Sequence, residues 1–322
     1  MSGSIHLLYK AANSTDLYEA RFDGSQWSGG NAIRIDVPAP GRPVHTPRTD
    51  AAPAAVDASL GLLLFYKGDG SNGIFMSRFD GVRWSGDQAI VSPQGLFRPP
   101  ASDHGVAATV FRNFVFLVYK SAGSNDIGVA AMNTNGVWQF SNTISALSHQ
   151  VIHPKTDTRP SVAAFNDRLL VIYKGAGTND LFLTTFDGAH WTGDVKISSQ
   201  PGGIAPQSTD SPGLAAFQNR LLMIYKGPHD ANLNQAFFDG TVWHGNSEIA
   251  NMPGGIRPQS SSNPALAVLG NRMHIVYKSP GNDDLNDASF DGTTWFGNSE
   301  IRIHGRVKLE SNTSPAAAPS AT

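Results

Sequence analysis

Residues 220–245 read RLLMIYKGPHDANLNQAFFDGTVWHG, and the same pattern runs through the chain six times. Its Tyr-Lys step falls at Tyr9-Lys10, Tyr66-Lys67, Tyr119-Lys120, Tyr173-Lys174, Tyr225-Lys226 and Tyr277-Lys278, at spacings of 57, 53, 54, 52 and 52. The six tryptophans, Trp27, Trp84, Trp138, Trp191, Trp243 and Trp295, keep the same beat. Each follows a Phe-Asp-Gly turn, replaced in the third copy by Met132-Asn133-Thr134-Asn135-Gly136. A fixed period near 50 residues is the mark of a solenoid, a propeller or an array.

Punctuation is cleanest in the fourth copy. It predicts strands at Ser161–Phe165, 169–174 and Leu181–Phe186 and a fourth carrying Trp191, with a tight turn at Asn166-Asp167 and a type I′ hairpin at Asp187-Gly188. Short strands between regular Gly, Asn and Asp turns, with no 3.6-residue periodicity, read as all-β. A four-stranded meander this small cannot bury both faces alone, and a ring of such units solves the problem. The expectation is therefore a six-bladed β-propeller of four-stranded antiparallel blades, one domain over residues 1–322. The chain opens on a second strand, and its tail Ser314-Pro315-Ala316-Ala317-Ala318 matches the first-strand segment Ser211-Pro212-Gly213-Leu214-Ala215-Ala216. Pairing of the N- and C-terminal segments should close the ring and hide both edges. Small pairs such as Ala107-Ala108, Ala163-Ala164 and Ala215-Ala216 suit the crowded inner ring.

Charge is near balance, with 24 basic and 26 acidic residues and no basic run, which argues against a nucleic-acid partner. No cysteine means no disulfide, thiolate metal site or cysteine nucleophile. No signal peptide is read at the start and no run long enough to span a bilayer, so the expectation is a soluble, cytoplasmic or non-classically secreted protein without membrane insertion. No HExxH, GxSxG or phosphate-binding glycine loop occurs, and no cofactor is expected. Asp283-Asp284 with Asp287 reads either as a Ca²⁺ cluster or as an exposed turn.

Long linkers rich in Pro, Gly, Ser and Thr (37–50, 92–103, 148–157, 199–210, 251–263 and 304–312) gather on one face, where loops on a rigid scaffold carry recognition. Thr49-Asp50, Ser102-Asp103, Thr156-Asp157 and Thr209-Asp210 begin strand one there, and the Asp-to-Lys spacings of 17, 17, 17 and 16 set each acid opposite the lysine ending strand two. Such a pair holds the blade rim or contacts a ligand. The candidate ligand residues are Lys67, Lys120, Lys174 and Lys226 with Asp103, Asp157 and Asp210. Trp27, Trp84, Trp191, Trp243 and Trp295 join them, since an indole at a blade boundary either packs the next blade or offers its face to a sugar.

The order of Leu17-Tyr18-Glu19-Ala20, Phe22-Asp23-Gly24 and Trp27-Ser28-Gly29 resembles the repeat of propeller lectins, the six-bladed fungal fucose-binding lectins of the Aleuria type and the seven-bladed Photorhabdus lectins. That resemblance implies a multivalent carbohydrate-binding protein with glycans or glycoconjugates as partners, and it leaves oligomerisation open. In the fucose-binding family a strand-two Arg and a strand-three Glu grip the sugar. The matching positions here are His6 with Glu19, Leu63 with Met76, Phe116 with Val129, Leu170 with Leu183, Leu222 with Gln235 and His274 with Asp287. Only the tryptophan carries over to every blade. A propeller scaffold for protein partners is the alternative. A glycoside hydrolase or sialidase-like enzyme ranks below it, because the chain has only four Glu (Glu19, Glu248, Glu300, Glu310) and repetition suits binding better than catalysis. The sequence therefore reads as a non-enzyme.

Overall fold

The computed structural model describes residues 3–35, 44–304 and 307–320; the first linker and the last therefore lie partly outside the described residues. Six four-stranded antiparallel sheets follow one another as blades of a propeller. Blade two is Ala54–Ala58, Gly61–Lys67, Ile74–Phe79 and Trp84–Ala89, and blade three is Ser102–Phe111, Phe114–Ser121, Ile127–Asn133 and Trp138–Thr143. Blade four is Ser161–Phe165, Arg168–Lys174, Leu181–Phe186 and Trp191–Lys196; blade five is Gly213–Phe217, Arg220–Lys226, Leu233–Phe238 and Trp243–Glu248. Blade six is Ala265–Leu269, Arg272–Lys278, Leu285–Phe290 and Trp295–Glu300.

Blade one takes three strands from the N-terminal side, Ser4–Lys10, Leu17–Phe22 and Trp27–Ala32, and its innermost strand, Ala316–Ser320, from the other end of the chain. Leu8 pairs with Ala316 and Ser4 with Ser320, antiparallel, as the matching tail predicts. First strands meet around the axis, where Ala54, Ala55, Ala107, Ala265, Ala316 and Ala317 face a narrow channel.

Hydrophobic packing lies between blades. Trp243 sits with Leu170, Ile172 and Leu183 of blade four, and Trp295 with Leu222 and Ile224 of blade five. Trp27 packs on Val276 and Leu285 of blade six, closing the circle. The strand-two run, such as Leu221-Leu222-Met223-Ile224-Tyr225, is buried throughout because each of its two faces meets a different neighbouring sheet.

The turn chemistry departs from expectation at one place. Asn166 and Asp167, at φ 48° and 53°, form the left-handed pair of a type I′ turn. At Asp187-Gly188 only the glycine is left-handed, and the loop spans Asp187 to His190, so the expected type I′ hairpin is instead a four-residue turn. Its determinant is the Asp187 carboxylate, which accepts the Ala189 and His190 N–H groups at 2.8 and 2.7 Å. Asp23, Asp80, Asp239 and Asp291 repeat it, and Asn133 supplies the amide version in blade three.

In every blade but the third, the Gly two residues after the Trp begins a bulge of consecutive left-handed residues, for example Gly193 and Asp194 at φ 102° and 66°. The residue after that Gly receives the strand-two tyrosine hydroxyl: Tyr66 to Asp87, Tyr173 to Asp194, Tyr225 to Asn246 and Tyr277 to Asn298. In these four blades the bulge gives one buried O–H its acceptor, whereas in blade three Tyr119 pairs with the Ser141 hydroxyl.

Candidate functional site

All five tryptophans named as ligand residues are buried, between 1% and 8% exposed, with Trp138 at 8%. Their own-blade phenylalanines cover them: Phe22 lies 5.2 Å from Trp27, Phe186 4.9 Å from Trp191 and Phe290 5.0 Å from Trp295, between ring centroids. The indoles pack blade against blade and present no open face of the kind a sugar ring stacks on.

Three indole N–H groups reach strand three of the preceding blade, and there the copies differ. Trp84 donates to Glu19 at 2.8 Å, Trp295 to Gln235 at 3.0 Å and Trp27 to Asp287 at 3.1 Å. Opposite Trp243 stands Leu183, and the Trp243 N–H has no partner.

The rim pairs form as the spacing predicts in three blades. Lys67 meets Asp50 at 2.6 Å, Lys120 meets Asp103 at 2.8 Å and Lys174 meets Asp157 at 2.6 Å. Each carboxylate also accepts a backbone N–H from the loop after strand two, at Gly70, Gly123 and Gly177. The clamp fastens that loop to the start of strand one. Burial works to raise the Asp103 carboxyl, but the Lys120 and His104 hydrogen bonds outweigh it and bring it to about 2. In blade five the expected pair does not form: Lys226 donates to Thr209 at 3.0 Å, and Asp210 faces the charge of Arg159 near the axis. The spacing of 16 instead of 17 is the cause, since Ser208-Thr209 takes the register held by Thr156-Asp157 and moves the acid one residue inward.

The Asp283, Asp284 and Asp287 carboxylates disperse, to Lys278 at 3.1 Å, Lys308 at 2.9 Å and Trp27 respectively. Among the described residues no group of three or more His, Cys, Asp or Glu could hold a metal, and no helix is long and apolar enough to cross a membrane.

A groove of about 830 Å³ lies between blades six and one, on the side of the tight turns and not on the long-loop face. Period-two alternation sets His274 of strand two and Asp287 and Ser289 of strand three on one face, and strand four adds Phe296 and Ser299 opposite Ser289 and Asp287; Glu300, paired with Asn286, lines the groove from the strand's end. His274 is buried at 8% exposure, its Nδ1 unpartnered and its ring 5.0 Å from Phe22. Burial, followed by the charge of Arg272, lowers the imidazole to about 4, so it is neutral at pH 7. Burial also pushes the Asp287 carboxyl up, the Trp27 N–H offsetting part of the shift. Glu300 goes the other way, held low by hydrogen bonds from Lys308 at 2.8 Å and Arg302 at 2.6 Å. The groove thus contains one carboxyl disposed to keep its proton and one disposed to lose it.

A second groove, about 640 Å³, occupies the same position between blades one and two. Burial favours a protonated Glu19, but bonds with His6 at 2.7 Å, Trp84 and Arg21 together hold it below its ordinary value. Sequence reasoning singled out both His–carboxylate pairs by position. It counted Glu300 only among the four glutamates and did not single out Arg272; each stands at the end of a strand, outside the repeated Tyr-Lys and Trp-x-Gly positions.

No protein-family model and no curated protein matches the chain. Among solved structures it is similar to one from a nidogen/laminin complex, at TM-score 0.54 and 10% identity over 98% of both chains. It is also similar to an exo-β-1,3-galactanase from Phanerochaete chrysosporium bound to β-1,3-galactotriose, at TM-score 0.53 and 11% identity over 95% of this chain and 71% of that one. A looser likeness, TM-score 0.46 and 12% identity over 71% and 82% of the chains, is to a GH43 enzyme from Xanthomonas citri. At such identities the likeness is one of fold.

Two expectations are corrected. The lectin reading required several equivalent indole platforms, whereas the indoles are interior and the structural relatives are hydrolase and nidogen propellers and not lectins of the expected types. The expectation of a non-enzyme assumed that a repeated scaffold does not catalyse. A galactanase has this fold, and here the copies diverge, so that the boundaries do not carry one repeated set of polar residues.

Proposed function

We propose that the protein cleaves glycosidic bonds of a glycan held in the groove between blades six and one. The observation that carries this reading is that two carboxyls lining one groove of about 830 Å³ are shifted in opposite directions, Asp287 pushed up and Glu300 held down. Glycoside hydrolysis needs that division: one carboxylic acid to protonate the departing oxygen and one carboxylate to activate water or attack the sugar. Asp287 takes the acid role, steadied by the Trp27 N–H, and Glu300 the base or nucleophile role, its charge kept by Lys308 and Arg302. Phe296, 36% exposed with the Arg272 guanidinium 4.3 Å from its ring centre, gives the groove an apolar wall. The galactanase of the same fold supports carbohydrate as the substrate class.

The test is release of reducing ends from a panel of β-linked galactan, xylan and arabinan oligosaccharides. Turnover is expected from the wild type, with a loss of about 10²–10⁴-fold in Asp287→Asn and a comparable loss in Glu300→Gln, both still folded. Cleavage that survives Asp287→Asn, or a folded wild type that cleaves nothing on the panel, overturns the reading. In the second case the nidogen likeness makes a surface for protein contact the reading to take up.

A further inference from the structure

Blade three departs from the other copies around one residue, Tyr119. Opposite the strand-two tyrosine, strand three carries Phe75 in blade two and Phe182 in blade four, each stacked on its tyrosine with ring centres 5.8 Å apart. Gly128 holds that position opposite Tyr119. The two phenylalanines also cover the residue after the repeated lysine, which has to be glycine: a Cβ on Gly68 or Gly175 would stand 2.6 or 2.5 Å from the ring. Blade three has Ser121 there, and strand three supplies no ring to cover it.

Two further changes fall at the same tyrosine. In the linkers to blades four, five and six, Ile152, Ile204 and Ile256 stand two residues before a proline and pack in the clusters of Tyr173, Tyr225 and Tyr277. The linker to blade three has Arg98 at that place, before Pro100, and the packing passes to Phe97. Strand four lacks the bulge led by glycine, so Tyr119 shares its hydrogen bond with the Ser141 hydroxyl at 2.9 Å and not with a carboxylate or amide.

The result is a pocket of about 320 Å³ on the long-loop face, walled by Arg98, Tyr119, Ser121, Ser124, Ser141 and Thr143. The carboxylate at its edge, Asp126, is already bonded by Lys155 at 2.8 Å and Ser124 at 3.1 Å. Arg98 is exposed and has no hydrogen bond or ion pair among the described residues, and neither has the Ser121 hydroxyl. Burial pushes the Tyr119 hydroxyl up, and the Arg98 charge pulls the other way, so the guanidinium acts on the hydroxyl side of the pocket. One open cation therefore stands over hydroxyls that can each donate and accept. The volume is that of a small-molecule site.

We infer that this pocket binds one polyhydroxylated carboxylate of the size of a hexuronate or an aldonate. Its carboxylate meets the Arg98 guanidinium, and its hydroxyls exchange hydrogen bonds with Ser121 and with the Tyr119–Ser141 pair. A neutral polyol leaves the cation without a counter-ion, and a bare carboxylate leaves the hydroxyls to water. The pocket lies on the opposite side of the ring from the blade six–one groove and does not depend on glycan cleavage.

The experiment titrates the full chain with glucuronate, gluconate, glucose and acetate at neutral pH, followed by calorimetry and by the melting temperature. Glucuronate or gluconate should bind saturably, with glucose and acetate weaker by about tenfold or more, the worth of one charge-assisted contact or of the hydroxyl contacts together. Arg98→Gln removes an exposed side chain with no partner, so it should fold normally and lose about tenfold in affinity. Ser121→Ala should fold normally and bind several-fold more weakly. Asp287→Asn should bind as the wild type does, so this inference and the cleavage reading fail separately. The inference is overturned by absence of saturable glucuronate or gluconate binding, by acetate or glucose binding equally well, by a folded Arg98→Gln with unchanged affinity, or by loss of binding in Asp287→Asn.

Discussion

Trp243 and Trp295 occupy the same place in consecutive blades and differ in one atom's surroundings, so replacing each by phenylalanine isolates that difference. Both are 1% exposed. Shrinking an indole to a phenyl ring removes apolar contact and leaves a small void, worth about 1–2 kcal/mol at either position. At Trp295 the change also strands the Gln235 carbonyl, which is 5% exposed and now bonded at 3.0 Å, adding about 1–3 kcal/mol. At Trp243 it removes an N–H that has no partner against Leu183, returning some of the same penalty. Trp295→Phe should therefore cost about 2–4 kcal/mol more than Trp243→Phe, and a chain of this length converts that to roughly 3–6 °C in Tm. Urea midpoints with unchanged slopes, together with calorimetry, measure it. Equal costs, or a larger cost at Trp243, would refute the claim that the indole N–H partner sets the difference. Retention of full stability by both variants would refute the interior role of the tryptophans altogether.

Deleting residues 316–322 removes the innermost strand of blade one, unpairs Ser4–Lys10 and should abolish cooperative unfolding, where a dispensable tail would leave the melt unchanged. Asp157→Asn should destabilise more than Lys174→Met, by about 1–3 kcal/mol in denaturant titrations, because it leaves a nearly buried ammonium facing a neutral group whereas the reverse change leaves a half-exposed carboxylate that water can reach. His274 is a base with its folded value lowered from 6.5 to about 4, so the unfolded chain takes the proton first. Its contribution is full above about pH 6.5 and drains as pH falls towards 4, and His274→Phe should remove roughly 2–3 kcal/mol of acid sensitivity across that window in unfolding measured at stepped pH. Tyr173→Phe, which leaves the buried side of Asp194 without its donor, should lower stability by about 1–2 kcal/mol, and Tyr119→Phe by less, since Tyr119 bonds only the neutral Ser141 hydroxyl at 2.9 Å.

The blade count, the strand order and the closure through blade one were legible in the sequence because they rest on spacing: the Tyr-Lys beat, one Trp per period and a tail matching a missing first strand are properties of the chain's order alone. So was the rim clamp, and even its failure in blade five is written in a spacing of 16. The direction of the tryptophans was not legible, since the same Phe-Asp-Gly-x-x-Trp pattern serves an indole turned outward to a ligand or inward to the next blade, and only packing across the boundary selects between them. The groove was hidden for a related reason. His274, Asp287 and Glu300 come from three strands of blade six, Trp27 and Phe22 come from the opposite end of the chain, and ring closure alone brings them together. Arg159 was likewise an ordinary linker residue until six first strands converged on one axis, where its guanidinium reaches the carbonyls of two other blades, a meeting that no linear pattern records.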